Sequence, residues 1–353
     1  MTTRYVGVGG NDSNSGLTWA QRKLTLNGVE DTPVEAGDTV YVGAGTYAEQ
    51  LTCDVSGSSG SPITYIGDYD GSHTDNVGGA VIISGGTYAV LFKNRNYRSF
   101  KNILFNKRIY AADSQPTNLT VENCAFYVTE ICMGNYYFTN LTVRNCIFFA
   151  SRYSGGIMAC GANSLADNRN NLIENCLFFG GVAYNGMINL KSGETLIRNC
   201  TFVGGWKGIE VSLNSGQTIT VNNCLFQGIR YALNAAATGQ LVEDYNNIYD
   251  CEVARTNVST GTHSTTLNTH FDMRWALELL NGGSLVTPFD LASYSQLINV
   301  AGTSPTAKDI RGTAKIGAER EWGAFEYDST LDIEAGSGGG GSVKILPLGR
   351  IGL

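Results

Sequence analysis

Several things are scarce in this chain, and each scarcity excludes something. No apolar run approaches the ~18 residues needed to span a bilayer, so no membrane partner is expected. Met1-Thr2-Thr3-Arg4 leads straight into strand-like sequence with no signal-peptide core. The expectation is synthesis in the cytoplasm and, for any role outside the cell, release by another route such as a virion. No block of Lys or Arg occurs and the net charge is −7, which argues against nucleic acid as a main partner. There are three histidines, His73, His263 and His270, all in turn-like or irregular sequence where a solvated ring is the plain expectation. Six prolines stand against 44 glycines, a balance suited to strands joined by tight turns.

What the sequence has in abundance is one stretch written over and over. Leu119-Thr120-Val121-Glu122-Asn123-Cys124-Ala125-Phe126 returns as Leu141-Thr142-Val143-Arg144-Asn145-Cys146-Ile147-Phe148. It returns again around Asn175-Cys176, Asn199-Cys200 and Asn223-Cys224. Weaker copies are Phe100-Lys101-Asn102-Ile103 before these and Val242-Glu243-Asp244-Tyr245 after them. With the cysteine column as register, the positions are 103, 124, 146, 176, 200, 224 and 245. Steps of roughly two dozen residues, alternating in character and without helical periodicity, mark a solenoid.

Alternation places Val121, Cys124 and Phe126 inside and Glu122 and Ala125 in variable columns. The phase changes at Asn123, which implies a bend, and asparagine tolerates the left-handed backbone such a bend needs. Stacked about 4.8 Å apart, Asn102, Asn123, Asn145, Asn175, Asn199 and Asn223 would bond amide to amide, with Asp244 ending the row. Five of the nine cysteines share one column that also accepts Ile103. They read as small buried apolar groups, since parallel side chains in a column do not converge on a metal. The outward residue before each ladder position reads Lys101, Glu122, Arg144, Glu174, Arg198, Asn222 and Glu243. Alternating signs in register suggest a salt ladder; the competing reading is that Arg144 and Arg198 grip an acidic glycan.

An asparagine ladder of this kind resembles that of the right-handed parallel β-helix, and the chain resembles the pectate-lyase-like β-helix superfamily. The opening, from Tyr5-Val6-Gly7 through Leu17-Thr18-Trp19 to Gly45-Thr46-Tyr47, is similar to the first segment of many such proteins. So is the close, Asp309-Ile310-Arg311-Gly312 with Trp322-Gly323-Ala324-Phe325. The resemblance implies an all-β fold, a right-handed parallel β-helix (solenoid) with an N-terminal cap and a short C-terminal tail. It says little of activity, because the superfamily includes lyases, hydrolases, adhesins and phage proteins.

The expected organisation is a capping segment over 1–38, with a short helix within Leu24 to Val29. The helix and its closing segment follow over 39–328, then a Gly/Ser-rich linker over 329–342 and an apolar docking peptide over 343–353. A loop is expected near Ala162–Asn170 and a short amphipathic helix over Met273 to Leu280. The tail carries Val343, Ile345, Leu346, Leu348, Ile351 and Leu353. Eleven residues on a glycine tether cannot form a core of their own, which points to docking on another chain.

Chemistry is sparse. The calcium-binding acidic cluster of a pectate lyase and the paired aspartates with Gly-His-Gly of a polygalacturonase are both missing, and neither metal nor cofactor is expected. Asp244, Asp250 and Glu252 could form a hydrolase pair, against which stands a polar end to the ladder and an exposed turn. Asn11-Asp12-Ser13-Asn14 reads as a turn rather than a calcium loop. Tyr136, Tyr137 and Trp206 could be sugar platforms. The resulting expectation is a non-enzymatic structural β-helix of a virus particle, such as a phage head decoration, fibre or spike. It would join other virion proteins through its tail, and a homotrimer is compatible with it. The alternatives are a tailspike-like polysaccharide lyase or glycoside hydrolase, and a glycan-binding adhesin without turnover.

Overall fold

The computed structural model describes residues 1–267 apart from short stretches at 33, 75–76, 94, 112–116, 129–132, 135–137, 151–157, 161–169, 181–185, 192–193 and 214–216. It also describes the strands Phe271–Met273 and Phe289–Leu291, which pair antiparallel. Between Thr3 and Thr256 the chain winds through three parallel sheets in turn. Sheet A has ten strands, from Thr3–Val6 and Thr39–Gly43 through Leu119–Glu122 and Thr142–Arg144 to Ile219–Asn222 and Leu241–Asp244. Sheet B has nine, including Ala125–Val128, Ile147–Ala150, Leu177–Phe179 and Asn247–Tyr249. Sheet C also has nine, from Leu51–Cys53 to Tyr231–Ala235 and Val253–Thr256. Each return to the same sheet is a parallel crossover, which right-twisted strands make right-handed. This is a right-handed parallel β-helix.

The repeat produces the fold because equal residues lie over one another. Val121 pairs with Val143, which pairs with Ile173, then Ile197, then Val221. Between sheets A and B each coil bends at its asparagine: Asn102, Asn123, Asn145, Asn175, Asn199 and Asn223 all have φ between 52° and 58°. Asn145 donates its amide to Asn123 Oδ1 at 3.1 Å, and Asn175 donates to Asn145 Oδ1 at 3.2 Å. Inside, Phe126, Phe148, Phe178, Phe202 and Phe226 stack with ring centroids 4.7–4.8 Å apart. Cys124, Cys146, Cys176, Cys200 and Cys224 are fully buried free thiols, as a packing column requires.

A second left-handed row exists that the repeat analysis did not single out. Asn118, Asn140 and Asn170, five residues before their ladder partners, have φ of 59°, 54° and 61°, and Asn140 donates to Asn118 Oδ1 at 3.2 Å. They turn the chain into sheet A as the ladder asparagines turn it out.

The N-terminal cap closes the first coil. Strand Thr3–Val6 adds to the edge of sheet A, and residues 16 and 23 take up the backbone groups of Tyr5. Trp19 fills the space beside Gly7 and Gly43, where an added Cβ would come within 2.2 and 2.5 Å of its ring. Helix Leu26–Asp31 is capped by Thr25 and by the Glu49 carboxylate, which accepts from Leu26 N at 2.7 Å. Asn11 Oδ1 accepts from Ser13 N, the turn expected there, while Asp12 anchors Leu24 and Thr25.

The last coil departs from the expected register. Asn222 pairs with Asp244 and Leu225 with Asn247, so Tyr245 follows Asn223, with φ 54°, and Asn246 takes the cysteine column. Asp244 therefore does not end the asparagine ladder, Tyr245 is not in the cysteine column, and Glu243 is not on the outer charged row. Glu243 lies over Val221, facing inward. All five positions Val-Asn-Asn-Cys-Leu have become Glu-Asp-Tyr-Asn-Asn, because what lies beyond this coil is a loop that needs hydrogen-bonding partners.

Candidate functional site

On the outer face of sheet A, charges alternate in register from Lys101 through Glu122, Arg144 and Glu174 to Arg198. Lys101 Nζ lies 2.9 Å from Glu122, and Arg198 lies 2.7 Å from Glu174. Arg144, between two acids in register, is in no ion pair among the described residues, and its Nε lacks a hydrogen-bond partner. The ladder is thus two pairs flanking one arginine rather than a continuous chain.

The richest polar constellation stands at the last coil. Glu243 is shut inside, where Oε1 accepts from Arg255 Nε (2.8 Å) and Gly261 N (2.8 Å). Its Oε2 accepts from Asn246 Nδ2 (2.7 Å) and Ser264 Oγ (2.5 Å). A carboxylate with all lone pairs engaged is a structural tie. Asn247 holds the same loop from the neighbouring position, accepting from Thr265 Oγ1 at 2.8 Å and Leu267 N at 2.7 Å. Asp244 faces outward and accepts from His263 N at 2.8 Å, while its Oδ2 lies 2.9 Å from His263 Nδ1. The imidazole stacks on Tyr245 with centroids 4.3 Å apart. His263 is therefore an oriented ring, not the freely solvated one expected. Burial pushes the Asp244 carboxyl up, but the hydrogen bonds from His263 and the Tyr245 amide outweigh it and hold it below its usual value. His73 is likewise engaged, stacked on Tyr41 at 4.1 Å.

The other candidate acids are separated from this dyad by strand Asn247–Tyr249. Asp250 sits in the following turn with φ 52°, and Glu252 pairs with Arg230 at 2.9 Å. The arrangement brings Asp244 to His263, not to Asp250 or Glu252. No local signal joins residues 19 apart through a loop, so sequence reasoning missed that pair. Trp206 lies under the Arg230 guanidinium at 4.0 Å, with Tyr231 6.3 Å away, so one ring face is already covered. Tyr136, Tyr137, His270, the closing segment, the tail residues of 343–353, the loop at 161–169 and the helix expected after Met273 lie outside the described residues. Among the described residues no group of three or more His, Cys, Asp or Glu is placed to hold a metal ion.

Chemically, an Asp-oriented imidazole can move a proton at its remaining nitrogen, and an arginine beside paired charges can bind an anion.

The family model described as "Right handed beta helix region" matches residues 109–271. A comparison with curated proteins finds no match. Among solved structures, one titled as the crystal structure of pectate lyase Pel9A is similar at a TM-score of 0.61 and 16% identity. It covers 93% of this chain and 97% of that one. A structure titled "Rhamnogalacturonan lyase" gives 0.55 and 17%, covering 83% and 97%. At such identities the likeness is one of fold: this chain is a right-handed parallel β-helix of pectate-lyase-like architecture.

Proposed function

We propose that the chain is a non-enzymatic structural β-helix of a virus particle, a stiff shaft of the kind a phage head decoration, fibre or spike requires. It is held to its neighbours through residues 343–353 or through the N-terminal cap. The observation that carries this reading is the regular interior: phenylalanine rings stack from Phe126 to Phe226, five buried cysteines lie in one column, and amide bonds join Asn123, Asn145 and Asn175. Each end of the described helix is tied by a buried glutamate–arginine pair, Glu30 with Arg98 and Glu243 with Arg255. Of the carboxylates that a glycosidase would need as a couple, Asp244 is tied to the loop through His263 and Glu252 is paired with Arg230. The tail supplies the attachment that a shaft needs.

Deleting residues 343–353 tests this. The truncated shaft should keep its β-sheet circular dichroism and thermal midpoint yet fail to join a larger particle. Normal assembly of the truncated chain would remove the docking role.

A second reading, a polysaccharide lyase or hydrolase, has one observation in its favour: the outward Asp244–His263 dyad on a fold shared with two proteins titled as lyases. Incubation with uronic-acid and capsular polysaccharides, read as unsaturated products or reducing ends, decides it. Turnover lost in both Asp244→Asn and His263→Ala would replace the structural reading. Saturable glycan binding without product would instead favour an adhesin.

A further inference from the structure

The outer face of sheet A is complementary to itself when turned end over end. One outward row takes a residue from each of the ten strands, from Tyr5 through the charges of Lys101 to Arg198 and on to Asp244. The midpoint of the ten strands falls between Glu122 and Arg144. About that point the signs invert: Glu122 answers Arg144, and Lys101 answers Glu174, at equal steps on either side. Within one chain Lys101 pairs with Glu122 and Arg198 with Glu174, which leaves Arg144 in no ion pair among the described residues. The Lys101, Glu122 and Arg198 side chains are 37%, 21% and 23% exposed, so the row is open to a partner, with Glu174 lower, at 9%, beside Arg198. Next to it runs an uncharged row that includes Thr64, Thr142, Leu172, Leu196 and the exposed Val242.

Whatever covers this face must repeat at about 4.8 Å and alternate in charge. A polyanion of that pitch would meet Glu122 and Glu174 at every second step, and a polycation would meet Arg144 and Arg198. Another parallel β-helix has the pitch, and this chain has the signs. Two copies laid face to face and pointing the same way would set each charge on its like, which is repulsive. Turned antiparallel about a two-fold axis between Glu122 and Arg144, all ten strands of one copy cover all ten of the other. Glu122 then meets Arg144 of the second copy and Lys101 meets its Glu174, each contact occurring again through the axis. Ten strands at about 4.8 Å and four residues at about 3.3 Å give a face roughly 43 Å by 13 Å, or about 560 Å² per copy. That is below the ~800 Å² per partner of a standard interface, so the contact is weak and its charges decide it.

We propose that the outer face of sheet A is a self-association surface, on which a second copy of this chain lies antiparallel with the two-fold axis between Glu122 and Arg144. The pairing gives Arg144 an ion pair that it lacks among the described residues of its own chain. It puts the two N-terminal caps at opposite ends and does not use sheets B and C. This goes beyond the shaft reading and holds with or without a particle, since it concerns how two stiff rods lie side by side.

Sedimentation velocity of the full chain tests the proposal. In low salt the chain should dimerise, and about 0.5 M salt, which screens exposed charges, should return it to monomer. Glu122→Lys and Arg144→Glu each set like charges at the axis and should each weaken the dimer at least tenfold, with circular dichroism unchanged. An equal mixture of the two variants should restore it, because every central contact then joins opposite signs. Effects confined to one chain are the same mixed or unmixed, so only a contact between copies gives this rescue. A second measurement leaves the charges untouched. Thr64 of one copy lies across from Leu196 of the other, whereas the two Thr64 positions are five coils, about 24 Å, apart. A short bismaleimide should therefore join Thr64→Cys copies to Leu196→Cys copies in a mixture, and join neither variant to itself. A chain that stays monomeric in low salt, a dimer indifferent to salt, a variant mixture that does not recover, or crosslinks of position 64 to itself would each overturn the proposal.

Discussion

Arg98 and Glu30 meet inside the protein through two parallel hydrogen bonds, Nη1 to Oε1 at 2.6 Å and Nη2 to Oε2 at 2.8 Å, with side chains 0% and 1% exposed. Arg98 occupies an inward position of sheet A, between Ile63 and Leu119 in register, where a charge is costly unless paired. Glu30 comes from the cap helix, and Tyr65 Oη donates to the same carboxylate. The pair therefore pins the cap to the coils it covers.

Breaking the pair from one side leaves the other charge buried alone, a loss of about 3–5 kcal/mol. Arg98→Met and Glu30→Gln should each lower the unfolding free energy by that amount, read from urea denaturation as an earlier midpoint. A double variant, Arg98→Met with Glu30→Leu, should recover much of it. If the double variant is as unstable as the sum of the singles, the pair is not the tie described.

Asn145 has φ 53° and exchanges amide hydrogen bonds with its neighbours above and below. Replacement by alanine removes about 1 kcal/mol of hydrogen bonding and adds about 1–2 kcal/mol of left-handed strain. Asn145→Gly removes only the former. Chemical denaturation should rank wild type over Gly over Ala, and an Ala variant as stable as Gly would mean that the bend does not need its left-handed residue.

The coils were legible wherever the repeat writes the same residue. Asn123, Asn145 and Asn175 gave bend, register and ladder, because stacking equal side chains is both the sequence signal and the physical cause. The row Asn118, Asn140, Asn170 was equally written and overlooked, since the eye follows the cysteine beside the other row. The last coil was misread by one residue because none of its five residues repeats its predecessor. Its Glu243 and Asp244 mimic the Glu-Asn of earlier coils when slid one place. Partners for Glu243 and Asp244 come from a loop some 20 residues on, and Glu30 finds Arg98 68 residues away. No local pattern encodes such meetings; they follow from which coil lies at an end.

The Asp244 carboxyl titrates below its ordinary value of 3.8 when folded, held there by His263 and the Tyr245 amide against the opposing effect of burial. A group with a depressed folded value stabilises fully above its unfolded value, near 3.9. That stabilisation disappears as pH falls through the folded value. The contribution is thus present above about pH 4 and lost on the acid side of it. Asp244→Asn should blunt the acid limb of a plot of urea midpoint against pH and leave the loop 257–267 more open to protease at neutral pH. Superimposable acid limbs would show that the dyad does not hold the loop.

The buried thiols give a test of the whole stack. Cys124, Cys146, Cys176, Cys200 and Cys224 are 0% exposed, and each Sγ lies 3.2–3.3 Å from the carbonyl two residues earlier. Burial opposes the thiolate, the reactive form, at every thiol of the row and raises Cys124, Cys176 and Cys224, whereas hydrogen bonds with the neighbouring thiols lower Cys146 and Cys200, so access rather than acidity protects the column. Cys53, fully buried, is pushed up to about 12, whereas partly exposed Cys251 is pushed only to about 11. Alkylation resolved by peptide mass spectrometry should therefore mark Cys251 ahead of Cys53 and the five stacked cysteines in the native protein. The five stacked cysteines should be marked only together, with the urea dependence of global unfolding. A reagent reaches the middle of such a column only when the coils above and below have separated. Cys176 reacting ahead of Cys124 and Cys224 in native protein would mean that the coils part locally, and a shaft that parts in the middle is not stiff.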